Sequence, residues 1–274
     1  KKIFKYIFAG MAAMSVVACS EDALETSPSF FCFWHELIRN SNLMSLVSLN
    51  GVYRAMYTAG VSNSSNTHQC FGITAYNLVA DVMGEDCIMN GQGSGWFWYD
   101  CVYNVKSRYT STGWRSYDMW NGYYTWISNV NYILAEEETM SGSETEKNYV
   151  LGQAYAVRAY SYFMLAQMFS RTYKGHESEP CVPLYTEPTD IATEGKGRAK
   201  VEEVYQQITS DLDKAITMLG NSGKRKHISH INEAVASGIK GSCRFSDGRL
   251  ADRFGCRECR NKQKAGVVSA LELR

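Results

Sequence analysis

The residues of this chain best suited to chemistry at a surface are aromatic rings on irregular backbone. Trp96, Trp98, Tyr99 and Trp114 fall in a stretch punctuated by Gly91, Gly93, Gly95 and Gly113, where the 3.6-residue apolar period of the flanking segments fails. Flat apolar rings with a polar rim stack on sugar faces. Asp100, Asn104 and Arg108 lie among them and can supply hydrogen bonds to hydroxyls. Binding residues concentrate on loops and in concave aromatic clefts. The competing reading is that these rings only cover helices, as large side chains often do.

Other reactive groups give weaker patterns. Asp81, Glu85 and Asp86 cluster near Gly84, but glycoside hydrolysis needs two carboxyls facing each other at a set separation, and a charged helix end explains the cluster equally well. Cys256-x2-Cys259 with His227-x2-His230 is a legitimate zinc-ligand set by type, yet its order and loop lengths do not match zinc modules. There is no G-x-S-x-G elbow and no glycine-rich phosphate loop. The expectation is a binding protein rather than an enzyme, with no metal or cofactor. The alternatives are a helical-repeat scaffold for a protein partner and a secreted glycoside hydrolase.

The first residues carry a different chemistry. Lys1, Lys2 and Lys5 precede an apolar run from Ile3 to Val17, which ends in Val16-Val17-Ala18-Cys19. A basic start, a short apolar run and small residues before the cut describe a secretion signal over 1–18. The run is shorter than the about 20 apolar residues of a membrane span. Small residues ahead of a Cys resemble a bacterial lipobox, which implies lipid attachment at Cys19. Ser20-Glu21-Asp22 resembles the surface-export tag of Bacteroides-type lipoproteins. The expected location is therefore the outer membrane, lipid-anchored and facing outward.

These groups must be positioned by helices. Leu46, Val47, Leu49, Val52, Tyr53 and Met56 recur at i, i+3 and i+4 within 43–58, and similar stripes run through 71–83, 117–138 and 201–219. Residues 147–171 are apolar on nearly all sides, as in a central buried helix. Ser143-Glu144-Thr145-Glu146 has the form of a capping box ahead of it. Residues 175–197 hold three of the 4 Pro and read as a loop. A last helix begins at Ile231. Sustained alternation is absent, so the fold class is all-α, built of antiparallel helix pairs. The pairing suggests a tetratricopeptide-like domain, although a clean repeat of about 34 residues is missing.

Composition agrees with a globular, neutral-ligand binder. Hydrophobic residues make up 45% of the 274, and 28 Lys+Arg balance 28 Asp+Glu, so no net field draws in nucleic acid. Aromatic content of 13%, with 18 Tyr and 6 Trp, supplies stacking surface. Of the 9 Cys, Cys70, Cys87, Cys101 and Cys181 lack a tight framework spacing; they read as mostly free, buried thiols, with room for one bridge among the first three.

The central helices resemble the SusD/RagB family. Trp120-x3-Tyr124-x2-Ile127-x3-Asn131 is similar to one of its helices, and Ala154-x3-Arg158-Ala159-Tyr160-x-Tyr162-Phe163-x-Leu165-x-Gln167-x-Phe169 to its signature helix. Val182-Pro183-Leu184, the stripe from Arg198 to Leu219 and Ile231-Asn232 follow in the family's order. The resemblance covers about residues 43–240. It implies a surface lipoprotein that captures oligosaccharides or other nutrients with a SusC-like TonB-dependent transporter. Arg158, on an apolar helix, is expected to be a buried tie, because an interior guanidinium needs partners.

Two stretches break the pattern. Residues 241–274 hold eight basic and four acidic side chains with no apolar period. Reading permissible codons from their second base turns Gly241 onward into Ala-Arg-Val-Ala-Leu-Val-Met-Glu-Asp-Trp, a helical pattern. The same shift gives a polar lead-in over 29–39, within a lead-in spanning 19–42. The expectation is a helical domain over 43–240 followed by an out-of-frame tail. On that reading the chain is truncated and inactive, with too few neighbours to cover helix 147–171.

Overall fold

The helices form where apolar side chains recur once per turn, and they end where that pattern meets Gly, Pro or a polar cap. The computed structural model describes residues 42–60, 63, 65–84, 87–93, 95–103 and 113–246. Among them run α1 (Asn42–Ala55), α2 (Ile73–Met83), α3 (Trp98–Cys101), α4 (Trp114–Ala135), α5 (Glu144–Phe169), α6 (Val201–Gly220) and α7 (Glu233–Ser246). No strand is present among the described residues; a single antiparallel bridge joins Pro180 and Lys200. The all-α expectation holds. Cys19, 29–39, Glu85, Asp86, Asn104, Arg108, Cys256 and Cys259 lie outside the described residues.

Side-chain pairs fix the direction of each packing step. Trp120 meets Phe169, Asn131 meets Arg158 and Tyr155 meets Glu137, so α4 and α5 run antiparallel. Phe163 meets Tyr205, Arg158 meets Asp211 and Gly152 meets Leu219, so α5 and α6 do the same. Asp213 pairs with Lys240 while Gly220 lies beside Glu233, which reverses the chain again into α7. The result is the tetratricopeptide-like succession of helix pairs. α1 packs on α4 and α5, and Tyr53 Oη donates to Gln153 Oε1 at 2.8 Å.

α5 is the axis of the core. Ser143 caps it, accepting from the Glu146 amide, while Glu146 accepts from the Ser143 amide; the local sequence therefore starts this helix by itself. Sixteen of its 26 residues are buried, which corrects the expectation of too few neighbours: α1, α4, α6 and the 171–199 segment cover it. Close approach demands small residues at two points. A Cβ on Gly122 would sit 2.3 Å from Tyr76 Oη, and one on Gly152 would sit 2.8 Å from Leu219 Cγ, both inside contact distance. α7 continues six residues past the boundary at 240, with Cys243 buried.

Arg158 is the tie the sequence led us to expect. Its Nε donates to Asp211 Oδ2 at 2.8 Å and its Nη2 to Oδ1 at 2.7 Å, a bidentate fork. Nη1 donates to Asn131 Oδ1 at 2.9 Å and to the Thr186 carbonyl at 3.1 Å. Asn131 Nδ2 then donates to the carbonyls of Tyr185 and Glu187 at 2.9 and 3.1 Å. One guanidinium thus joins α4, α5, α6 and the proline-bearing loop.

Candidate functional site

The aromatic stretch is held by buried anchors. Phe97 is 3% exposed, packed edge-on against Phe71 at 6.1 Å and beneath the Arg115 guanidinium at 5.1 Å. Its φ of 51° is left-handed, as is the 52° of Tyr103, and these two bracket α3. Bulky residues avoid that region, so each must be held there by its surroundings. Tyr103 Oη donates to the Met83 carbonyl, tethering the far end to α2.

Arg115, the second residue of α4, supplies the main brace. Its Nη2 donates to Asp100 Oδ2 at 3.0 Å and to Gln69 Oε1 at 3.1 Å, and its Nη1 to the Gln69 carbonyl at 2.8 Å. Its Nε is buried without a partner among the described residues. The guanidinium also lies 4.2 Å from the Trp114 ring centre, an attraction between a cation and an aromatic face. Nearby, burial and then the Asp118 carboxylate push the Cys70 thiol up to about 12, so it stays protonated.

With the anchors buried, the outward rings are Trp96 at 50% exposure, Tyr99 at 56% and Tyr103 at 54%. Trp98 is half-buried beside them. Of the residues predicted for ligand contact, Trp96, Trp98 and Tyr99 therefore share one short segment. Trp114 is half-buried with one face taken by Arg115. Asp100 is a correction: at 5% exposure and paired with Arg115, it braces the platform and cannot serve a ligand. Sequence reasoning missed Arg115 and Gln69, though a signal existed for the first. Arg115 stands four residues before Met119 on the buried stripe of α4, where a cation requires a partner.

The remaining candidates do not assemble. Asp81 is exposed on α2. His230 is buried with Nδ1 2.6 Å from Tyr149 Oη, and His227 Nδ1 lies 2.7 Å from Ser229 Oγ. Among the described residues no three His, Cys, Asp or Glu side chains could hold a metal. Cys70, Cys87, Cys101 and Cys181 are unpaired, so the bridge does not form; Cys70 and Cys181 are buried, while Cys87 is exposed and Cys101 half-buried. No described helix is long and apolar enough to cross a membrane.

Comparison with known proteins comes to one family. Residues 74–239 match the SusD-like profile described as starch-binding, associating with the outer membrane. A SusD-like carbohydrate binding protein from Bacteroides vulgatus superposes with a TM-score of 0.67 at 25% identity, over 77% of this chain and 42% of that one. A SusD superfamily protein from Bacteroides fragilis gives 0.64 at 23%, over 81% and 49%. Another from Bacteroides thetaiotaomicron gives 0.55 at 20%, over 77% and 44%. This chain spans less than half the length of those structures. No curated protein sequence matches.

Proposed function

We propose, from the premise that this chain belongs to the SusD-like family of outer-membrane-associated, starch-binding proteins, that it captures oligosaccharides by stacking them on its braced aromatic platform. The observation that carries the reading is three exposed rings, Trp96, Tyr99 and Tyr103, within one short segment whose backbone is left-handed at Phe97 and Tyr103. A platform fixed in advance does not have to be ordered by the ligand, which lowers the entropic cost of binding. The ring faces accept the apolar faces of sugars. In this reading binding is the whole task and no bond is broken.

The family relationship extends the proposal to place and partner. Lipid on Cys19 anchors the chain at the cell surface, and captured oligosaccharide passes to a SusC-like TonB-dependent transporter. Cys19→Ala then releases the chain from the membrane fraction; retention of that variant there would sink the anchor. For the platform, tryptophan emission is titrated with maltoheptaose and with laminarin oligosaccharides. A saturable change that disappears in Trp96→Ala supports the reading, and an unchanged titration in that variant refutes it. Reducing ends released during incubation would favour the hydrolase instead.

A further inference from the structure

We infer that the groove between α4 and the 183–193 segment is a second carbohydrate subsite, sized for one neutral pyranose ring; this rests on the reading that the chain binds carbohydrate. The groove encloses about 190 Å³, below the about 300 Å³ at which pockets for drug-sized ligands begin. Tyr124 and Tyr185 line it, set edge to face with centres 6.1 Å apart. Lys196 lies over the Tyr185 ring at 5.3 Å, and Tyr124 packs on Trp120 with centres 4.8 Å apart, so both rings are held in place. Ser128, Thr189, Asp190 and Thr193 supply the polar lining.

The polar groups retain capacity for a ligand. Ser128 Oγ and Thr189 Oγ1 are 3.5 Å apart, at the limit of a hydrogen bond, so an incoming hydroxyl can improve on their contact. Asp190 Oδ1 accepts from the Ala192 amide at 3.0 Å and the Thr193 hydroxyl at 2.7 Å. The Asp190 side chain is exposed at the groove. The Thr193 hydrogen bond holds this carboxyl below the usual range, so it is an ionised acceptor at neutral pH. Sugar hydroxyls donate well to such an oxygen.

The same lining excludes other ligands. Asp190 is the one charged residue lining the groove, with Lys196 outside it against the Tyr185 ring, so phosphate and acidic sugars meet a carboxylate within it. A single carboxylate falls far short of the 6–8 oxygens calcium takes. The walls are also fixed beforehand. Tyr124 Oη donates to the Pro183 carbonyl, Tyr132 Oη to that of Thr189, both at 2.7 Å, and Tyr162 Oη to that of Tyr185 at 2.8 Å. From Trp114 to Ser128 is fourteen residues of α4, about 21 Å along the axis, which makes the groove and the platform separately testable.

The test is saturation-transfer NMR on the full chain with methyl α-glucopyranoside, galactose and N-acetylglucosamine as probes. Transfer to at least one sugar is expected. Ser128→Ala with Asp190→Asn should weaken it at least about fivefold, the equivalent of one lost hydrogen bond. Thr189→Val, which keeps the shape and removes the hydroxyl, serves as the second variant should the first lower the melting temperature. No transfer to any probe, or transfer unaltered in both variants, overturns the subsite. If Trp96→Ala abolishes oligosaccharide binding while both groove variants bind monosaccharide as before, the subsite falls and the platform stands. If the groove variants lose monosaccharide and Trp96→Ala changes nothing, the subsite stands and the platform falls.

Discussion

Two buried arginine–aspartate pairs serve different purposes in this molecule. Arg158 uses Nε, Nη1 and Nη2, meets Asp211 through a fork and joins four elements of the core. Arg115 reaches Asp100 through one nitrogen, leaves Nε unpartnered and holds a four-residue helix whose outer side faces water. Both guanidiniums are removed from solvent, so both would be costly if left alone. The difference lies in what can give way. Asp211 is enclosed between α5 and α6, whereas Asp100 belongs to a short segment whose neighbouring rings Trp96, Tyr99 and Tyr103 face solvent. The same chemistry closes a core in one place and presents a surface in the other.

That contrast orders the expected effects of substitution. Arg158→Ala should cost about 3 to 5 kcal/mol, because it strands a buried carboxylate; urea denaturation monitored by circular dichroism reads it, and a loss under about 1 kcal/mol would erase the distinction. Arg115→Ala should cost less, about 1.5 to 3 kcal/mol for lost charged hydrogen bonds, since local opening relieves the strain. Its larger effect should be on binding: hydrogen exchange over 95–103 rises and the maltoheptaose titration weakens, while α5 amides stay protected. Equal deprotection of both regions would show that the platform is not separable from the core.

A third tie responds to acid. His230 stacks on Tyr53 at 5.1 Å, and its Nδ1 lies 2.6 Å from Tyr149 Oη, which also accepts from the Lys226 amide. Burial, then the positive charge of His227, Lys226 and Arg225, holds His230 below its ordinary value of 6.5. With the folded value depressed, the unfolded chain binds the proton first, so the contribution is complete above about pH 6.5 and declines as pH falls through the window beneath it. The melting temperature should drop between pH 7.5 and 5.5, and by less in His230→Phe, which keeps the stacking without the titration. A parallel drop in both proteins would remove His230 as the cause.

The smallest effect is expected at the surface. Trp96→Ala should change stability by no more than about 0.5 kcal/mol, because the ring is half exposed and its neighbour Phe97 is the anchor. A loss above 1 kcal/mol would mean that the outward rings are structural cover.

The parts of this fold legible in sequence are those set by local rules. The capping box at Ser143 and the all-round apolar pattern after it predict α5 within a turn, and the need of a buried guanidinium for partners predicts the role of Arg158. Its partner Asp211, 53 residues away, follows from no spacing. The same reason explains the misreading of Asp100, whose partner Arg115 lies 15 residues away. α4 starts at Trp114 instead of Tyr117, drawn back one turn by the contacts of Arg115. α3 was illegible: four residues carry no period, and it exists because Phe97 is buried on one side and Arg115 holds Asp100 on the other. The aromatic residue types pointed to the platform, and tertiary contacts decided which rings face out.

The close approaches at Gly122 and Gly152 bear on how this sequence can drift. Tyr76 Oη occupies the space a Cβ at 122 would need, and Leu219 does the same at 152. A larger residue at either glycine becomes tolerable only when its facing side chain has already shrunk, and the Tyr76 ring is free to remain only while 122 stays bare. Positions 76 and 122, and separately 152 and 219, are thus inherited as pairs: among diverged copies of this chain, a change at one member should be accompanied by a compensating change at the other, in the order small first and large second.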